Sequence, residues 1–172
     1  MLTKGWQGRA ASWALGASTC VGTLIWALAL YHSEPSVVLI SVGDILLSRG
    51  VSRQIGQHGP DYPFHAIRPI LTGADIAFGN LECPVTATGG PLPKPFSFRV
   101  PPHHAEGLAP AGFDVLSVAN NHTLDCGRQG LADTVRYLDQ RGIAACGAIV
   151  PGVTGTPGAT LVRNGLRIRF LA

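Results

Sequence analysis

Three places in this chain carry side chains that could hold a cation. Gly43-Asp44 is the first, Asn80-Leu81-Glu82 the second, and Asn120-Asn121-His122 with Asp125 the third, each about 40 residues from the next. Two carboxylates, a carboxamide oxygen and an imidazole are ligands that hard or borderline divalent cations accept. Taken singly, each residue has a plainer reading. An Asp after Gly is usually a turn, a Glu after a strand is usually solvated, and Asn-Asn is usually loop chemistry. The recurrence of such clusters at matching places is what points to a metal site.

Those places are the ends of apolar runs. Val37 to Val42 is a β-branched run leading into Gly43-Asp44, Ala74 to Leu81 is a second, and Phe113 to Ala119 a third. Each reads as a strand buried on both faces. Helices are expected between and after them, over Arg49 to Gln57, Phe64 to Leu71 entered through Pro63, Pro102 to Leu108, and Gln129 to Arg141. This alternation predicts an α/β layered domain with a central, mostly parallel sheet. In such a sheet the strands' carboxyl ends point the same way, so Asp44, Glu82, Asn121 and His122 are expected to converge at one edge. Gly89 to Pro95 must be an exposed excursion, and Pro151 to Gly158 a second loop. Ala159 to Val162 and Leu166 to Ala172 predict a hairpin turning at Asn164-Gly165. The last residues lie inside an apolar strand, so the chain is expected to be the N-terminal part of something longer.

The 172 residues are 46% apolar and only 13% charged, with 22 glycines and 13 prolines, which excludes a disordered chain and a coiled coil. The net charge of +3 lacks the basic stripe that phosphate-backbone binding needs, so no nucleic acid is expected as a partner. Lys4 and Arg9 are followed by a run from Ala10 to Ser33 with no charged residue, and Glu34 follows it. That run is long enough to cross a bilayer, and the flanking charges place the N-terminus in the cytoplasm. Residues 1–33 are therefore expected to be a cytoplasmic stub and a single-pass transmembrane helix, with residues 34–172 on the extracytoplasmic side of the cell membrane. The alternative is a signal peptide cleaved after Ala27-Leu28-Ala29, which would release a secreted domain. Cys20 falls in this run; Cys83, Cys126 and Cys146 are expected to be small buried residues with at most one bridge.

Several segments resemble one known family: Gly43-Asp44-Ile45-Leu46-Leu47-Ser48-Arg49, Asn80-Leu81-Glu82-Cys83-Pro84, Phe96-Ser97-Phe98-Arg99, Ala111 to Val115, and above all Ser117 to Gly127 with its Ala-Asn-Asn-His-x-x-Asp-x-Gly block. They look like the CapA-type poly-γ-glutamate capsule synthesis proteins, over about Val38 to Ala172. The resemblance implies a fold similar to calcineurin-like metallophosphoesterases, an N-terminal membrane anchor, and work on an anionic polymer such as poly-γ-glutamate beside membrane-bound capsule synthetase components. It implies a divalent metal cofactor, manganese, zinc or iron, with Asp44 as first-strand ligand, Glu82 as the carboxylate bridging two metals and Asn121 as second-metal ligand. His122 is then the adjacent catalytic imidazole that protonates a leaving oxygen, and Asp125 a residue that orients it. For Asp125 an Asx-type turn or cap before the helix at Gln129 is the competing reading.

The family's later histidines, a His-x-Gly-type and a Gly-His-x-His segment, have no counterpart after His122, so the metal site is expected to be incomplete in this chain and the metal weakly held. His32 belongs to the membrane boundary, and His58, His65, His103 and His104 fall on helix or loop candidates. Arg49, Lys94 and Arg99 are candidate contacts to a carboxylate-rich polymer or a phosphate, set against ordinary surface roles. Two functions are expected to compete: a membrane-anchored, metal-dependent hydrolase, and a non-catalytic polymer-binding or export scaffold.

Overall fold

A computed structural model describes residues 34–90, 92–150 and 158–172. The membrane or signal segment expected over residues 1–33 and most of the loop from Pro151 lie outside them. Among the described residues, no helix is long and apolar enough to cross a membrane.

Residues Ser36–Ala172 form one unit built on a parallel sheet. Its strands are β1 (Leu39–Ile45), β2 (Ile76–Leu81), β3 (Val115–Ser117) and β4 (Ala144–Cys146), in the order β1-β2-β3-β4 with every pairing parallel. The three apolar runs supply β1 to β3 as expected, but only β2 and β3 are buried on both faces; β1 lies at the sheet edge and is exposed along most of its length. Ala144-Ala145-Cys146 has no such signal and was not anticipated. It becomes a strand because β3 offers it a pairing edge, an instance of tertiary context overriding local preference.

β1 also continues further than its apolar run, through Gly43 and Asp44 to Ile45. Ser41 pairs with Phe78 but Asp44 pairs with Asn80, so β1 carries one residue more than β2 in this interval. This is a β-bulge, and Gly43 lies inside it. Gly79 lies against it: a Cβ there would stand 2.7 Å from Ile45 Cδ1 and 3.0 Å from Val42 Cγ2. The bulge leaves Asp44 opposite Asn80, and opposed residues in a sheet project to the same face.

The helices are α1 (Arg49–His58), α2 (Arg68–Thr72), α3 (Leu108–Ala111) and α4 (Gly127–Asp139), with 3₁₀ turns at Tyr62–Phe64 and Pro102–Ala105. The continuous helix expected from Phe64 to Leu71 is thus broken. Pro69 has no N–H to donate to the preceding turn, so the helix restarts at Arg68 with the proline in its first turn. In α4, Leu131, Val135 and Leu138 recur at helical spacing and turn one face inward. Together with Leu71, Leu108, Leu116 and Ile143 they form the main core on one side of the sheet.

The other side is covered by the antiparallel hairpin of β5 (Gly158–Arg163) and β6 (Leu166–Leu171). Asn164 and Gly165 turn it with φ of 50° and 79°, as the Asn-Gly pair predicts. Phe170 of β6 stacks on Phe78 of β2 with ring centroids 5.4 Å apart, and Arg163 reaches Asp114 at 3.0 Å. The layers are therefore helices, parallel sheet and hairpin.

Candidate functional site

The carboxyl ends of β1, β2 and β3 meet around one amide. Asn80 Nδ2 donates to Asp44 Oδ1 at 2.8 Å and to Glu82 Oε2 at 2.6 Å. The orientation of that amide is fixed from behind, because Asn120 Nδ2 donates to Asn80 Oδ1 at 3.0 Å and ionised carboxylates only accept. Asn120 also donates to the Leu81 carbonyl, and its own Oδ1 accepts the His122 backbone N–H, each at 3.0 Å. In the sequence Asn80 and Asn120 stand only as parts of motifs, yet these two side chains lock the strand ends together. Their signal was an asparagine at the end of each of two successive apolar runs.

His122 is buried, and its ring is fixed on three sides. Nδ1 lies 2.8 Å from Asp125 Oδ2, Nε2 lies 3.8 Å from Glu82 Oε1, and the Phe98 ring centroid is 4.2 Å away. Because Asp125 only accepts when ionised, Nδ1 carries the proton of a neutral His122 and Nε2 is the atom turned toward Glu82. Asp125 is wholly buried and also accepts the Phe98 backbone N–H at 2.6 Å. The Lys94 ammonium pairs with its other oxygen. Burial alone would raise the Asp125 carboxyl, but Lys94, His122 and the Phe98 N–H outweigh it and hold the carboxyl below its ordinary range. Its side chain thus serves His122 and the excursion rather than the start of α4, which has no side-chain cap.

The remaining candidates are distributed around this cluster. Asn121 is exposed beside it; its carbonyl accepts from Lys94 Nζ at 3.2 Å, and it lines a hollow of about 560 Å³ with Asn120, Leu124, Gly147 and Ile149. Lys94 is committed to Asp125 and that carbonyl, so it straps the excursion onto the His122 loop. Arg99 does similar work, donating to the Gly89 carbonyl at 3.0 Å. Arg49 opens α1 with its guanidinium 6.0 Å from the Phe96 ring centroid and 5.9 Å from that of Phe98. His58 stacks on Tyr62, and His104 Nδ1 meets Ser52 Oγ at 2.8 Å, contacts of the helical layer. Cys83, Cys126 and Cys146 are free and buried, and burial pushes the Cys83 thiol up to about 12.

Asp44, Glu82 and His122 at the strand ends are side-chain types that divalent cations accept. Asp44 and Glu82 share one amide donor, and among the described residues neither has a lysine or arginine partner. The imidazole Nε2 beside Glu82 is backed by a carboxylate on Nδ1, the arrangement that raises the basicity of a ligating histidine. Among the described residues there is, however, no group of three or more His, Cys, Asp or Glu side chains arranged to hold a metal.

Fold and site together define a protein of the layered α/β class with a carboxylate–imidazole cluster at the carboxyl edge of its parallel sheet. Residues 38–172 match the family described as bacterial capsule synthesis protein PGA_cap, and the chain belongs to that family. It is 29% identical to "Capsule biosynthesis protein CapA" of Bacillus anthracis over 69% of this chain and 30% of that protein. It is 33% identical to "PGA biosynthesis protein CapA" of Bacillus subtilis over 68% of this chain and 31% of that protein. A shorter match, 41% over 45% of this chain and 20% of the relative, is to a "Probable polyglutamine synthesis accessory protein" of Mycobacterium tuberculosis. The chain thus spans about a third of the length of the two Bacillus relatives.

Proposed function

We propose that this chain supplies one half of a metal-dependent, hydrolase-type site in a membrane-anchored protein of capsule or poly-γ-glutamate synthesis. The observation that carries the reading is the contact run from Asp44 through Asn80 and Glu82 to His122 and Asp125, at the edge where parallel sheets place their chemistry. Asp44 and Glu82 would hold a divalent cation of the manganese, zinc or iron type, and the exposed Asn121, on the loop after β3, would have to turn toward them to serve as a further oxygen ligand. When bound, such a cation polarises the scissile group and lowers the pKa of a coordinated water. Asp125 keeps the His122 proton on Nδ1 and leaves Nε2 to hold or pass a proton on the site side. Lys94 pairs with the buried Asp125 carboxylate and balances its charge. Arg49 and Arg99 would contact the anionic polymer, with capsule synthetase components as membrane partners.

A second reading is a polymer-binding or export scaffold without turnover. It is favoured by the Asn80 amide standing between the two carboxylates, since that donor alone already satisfies them in part. The full-length protein, given manganese or zinc and an artificial phosphodiester, separates the two. Turnover that His122→Ala removes supports the hydrolase. No turnover, with capsule production unchanged by His122→Ala, supports the scaffold.

A further inference from the structure

Arg49 combines two properties that its packing does not require. It has φ of 57°, a left-handed conformation that costs a side chain with a Cβ and that, apart from Asn164 in the hairpin turn, no other described non-glycine residue adopts. Among the described residues no carboxylate pairs with its guanidinium, which instead faces the rings of Phe96 and Phe98. Phe96 is 62% exposed, an unusual position for a large aromatic ring. Phe98 in turn packs on the His122 imidazole, so Arg49 stands one ring away from the site.

We infer that Arg49 and Phe96 form a subsite for a carboxylate carried on a short aliphatic stem, the chemistry of a glutamyl unit in an anionic polymer. A guanidinium offers a carboxylate a planar fork of donors, and an exposed ring beside it offers the methylenes a surface to lie on. The neighbouring Asp44 and Glu82 repel a polyanion, and Arg49, at the first position of α1 just beyond the end of β1, opposes that repulsion where the polymer must arrive. The strained φ at the start of α1 then goes with a guanidinium held over Phe96 and Phe98. This subsite rests on the polymer reading above and adds to it the residues that select the repeating unit.

The test is binding of an oligomer of γ-linked glutamate to the full chain, with an equally long polyglutamine as the neutral control. Arg49→Gln is expected to weaken oligomer binding about tenfold, the loss of one charge-assisted contact. Phe96→Ala is expected to weaken it roughly threefold through lost stem packing. Arg49→Gly is expected to bind as poorly as Arg49→Gln while its melting temperature stays level or rises, because glycine relieves the strained φ. A structural arginine would give the reverse, a lower melting temperature with binding retained, and that outcome overturns the subsite. Variants that bind like the wild type overturn it while leaving the polymer reading intact. A wild-type chain that binds neither polymer overturns both.

Discussion

At the scale of single residues, Asn80 holds the strand ends together. Replacing it with Ala removes the shared donor from Asp44 and Glu82 and takes from the Asn120 amide one of its two acceptors, leaving the Leu81 carbonyl. The expected cost is about 1–3 kcal/mol, read as a shift in the urea midpoint at unchanged slope. Added divalent cation should restore part of it if the two carboxylates can share one. Asp125 supplies a pH signature. Its folded pKa lies below the ordinary 3.8, so its ionisation stabilises the fold above that pH and the stabilisation fades as pH falls through the folded value. Asp133, drawn down in spite of burial by Thr86, Gln129, Thr88 and Arg136, acts in the same direction. Denaturation at neutral pH and below pH 3.8 should therefore show Asp125→Asn less stable than wild type at neutral pH and less sensitive to acid. A variant as acid-sensitive as wild type would contradict the assignment. Asp44, Glu82, His122 and Asp125 were visible in the sequence because their side-chain types are those of metal and proton chemistry. Asn80 and Asn120 were not singled out, because an amide that only bridges other groups looks like loop chemistry until its partners are placed.

At the scale of elements, the β1 bulge decides where Asp44 points. Gly79 is what lets Val42 and Ile45 pass over β2, so Gly79→Ala forces Ile45 Cδ1 and Val42 Cγ2 to give way. Overpacking of this kind costs about 1–3 kcal/mol, measurable by thermal or urea denaturation. The same substitution should weaken Asp44 contacts with Asn80, so any cation affinity of the chain should fall together with stability. If Gly79→Ala lowers stability while cation binding is untouched, the bulge does not position the site. Strands β1 to β3 and the β5–β6 hairpin were readable from β-branched runs and an Asn-Gly turn. The bulge was not, because register belongs to a pair of strands and no single run encodes it. β4 was not readable for the same reason, being three small residues that β3 recruits. The break between Phe64 and Leu71 was readable in principle, since Pro69 stands in the middle of the expected helix.

At the scale of the whole molecule, the parallel order β1-β2-β3 is what turns three distant clusters into one. The uncharged run before Glu34 is proposed as the membrane anchor; the mature protein should retain residues 1–33 and sediment with membranes, and a mature terminus at Leu30 would instead identify a cleaved signal. The proposal that most needs a direct measurement is that the strand-end cluster holds a divalent cation. Calorimetric titration of manganese into the metal-free chain tests it most directly. Saturable binding is expected, falling at least about tenfold in Glu82→Gln, a loss of about 1.4 kcal/mol or more, and weakening also in His122→Ala. No binding, or equal affinity in wild type and both variants, would contradict it.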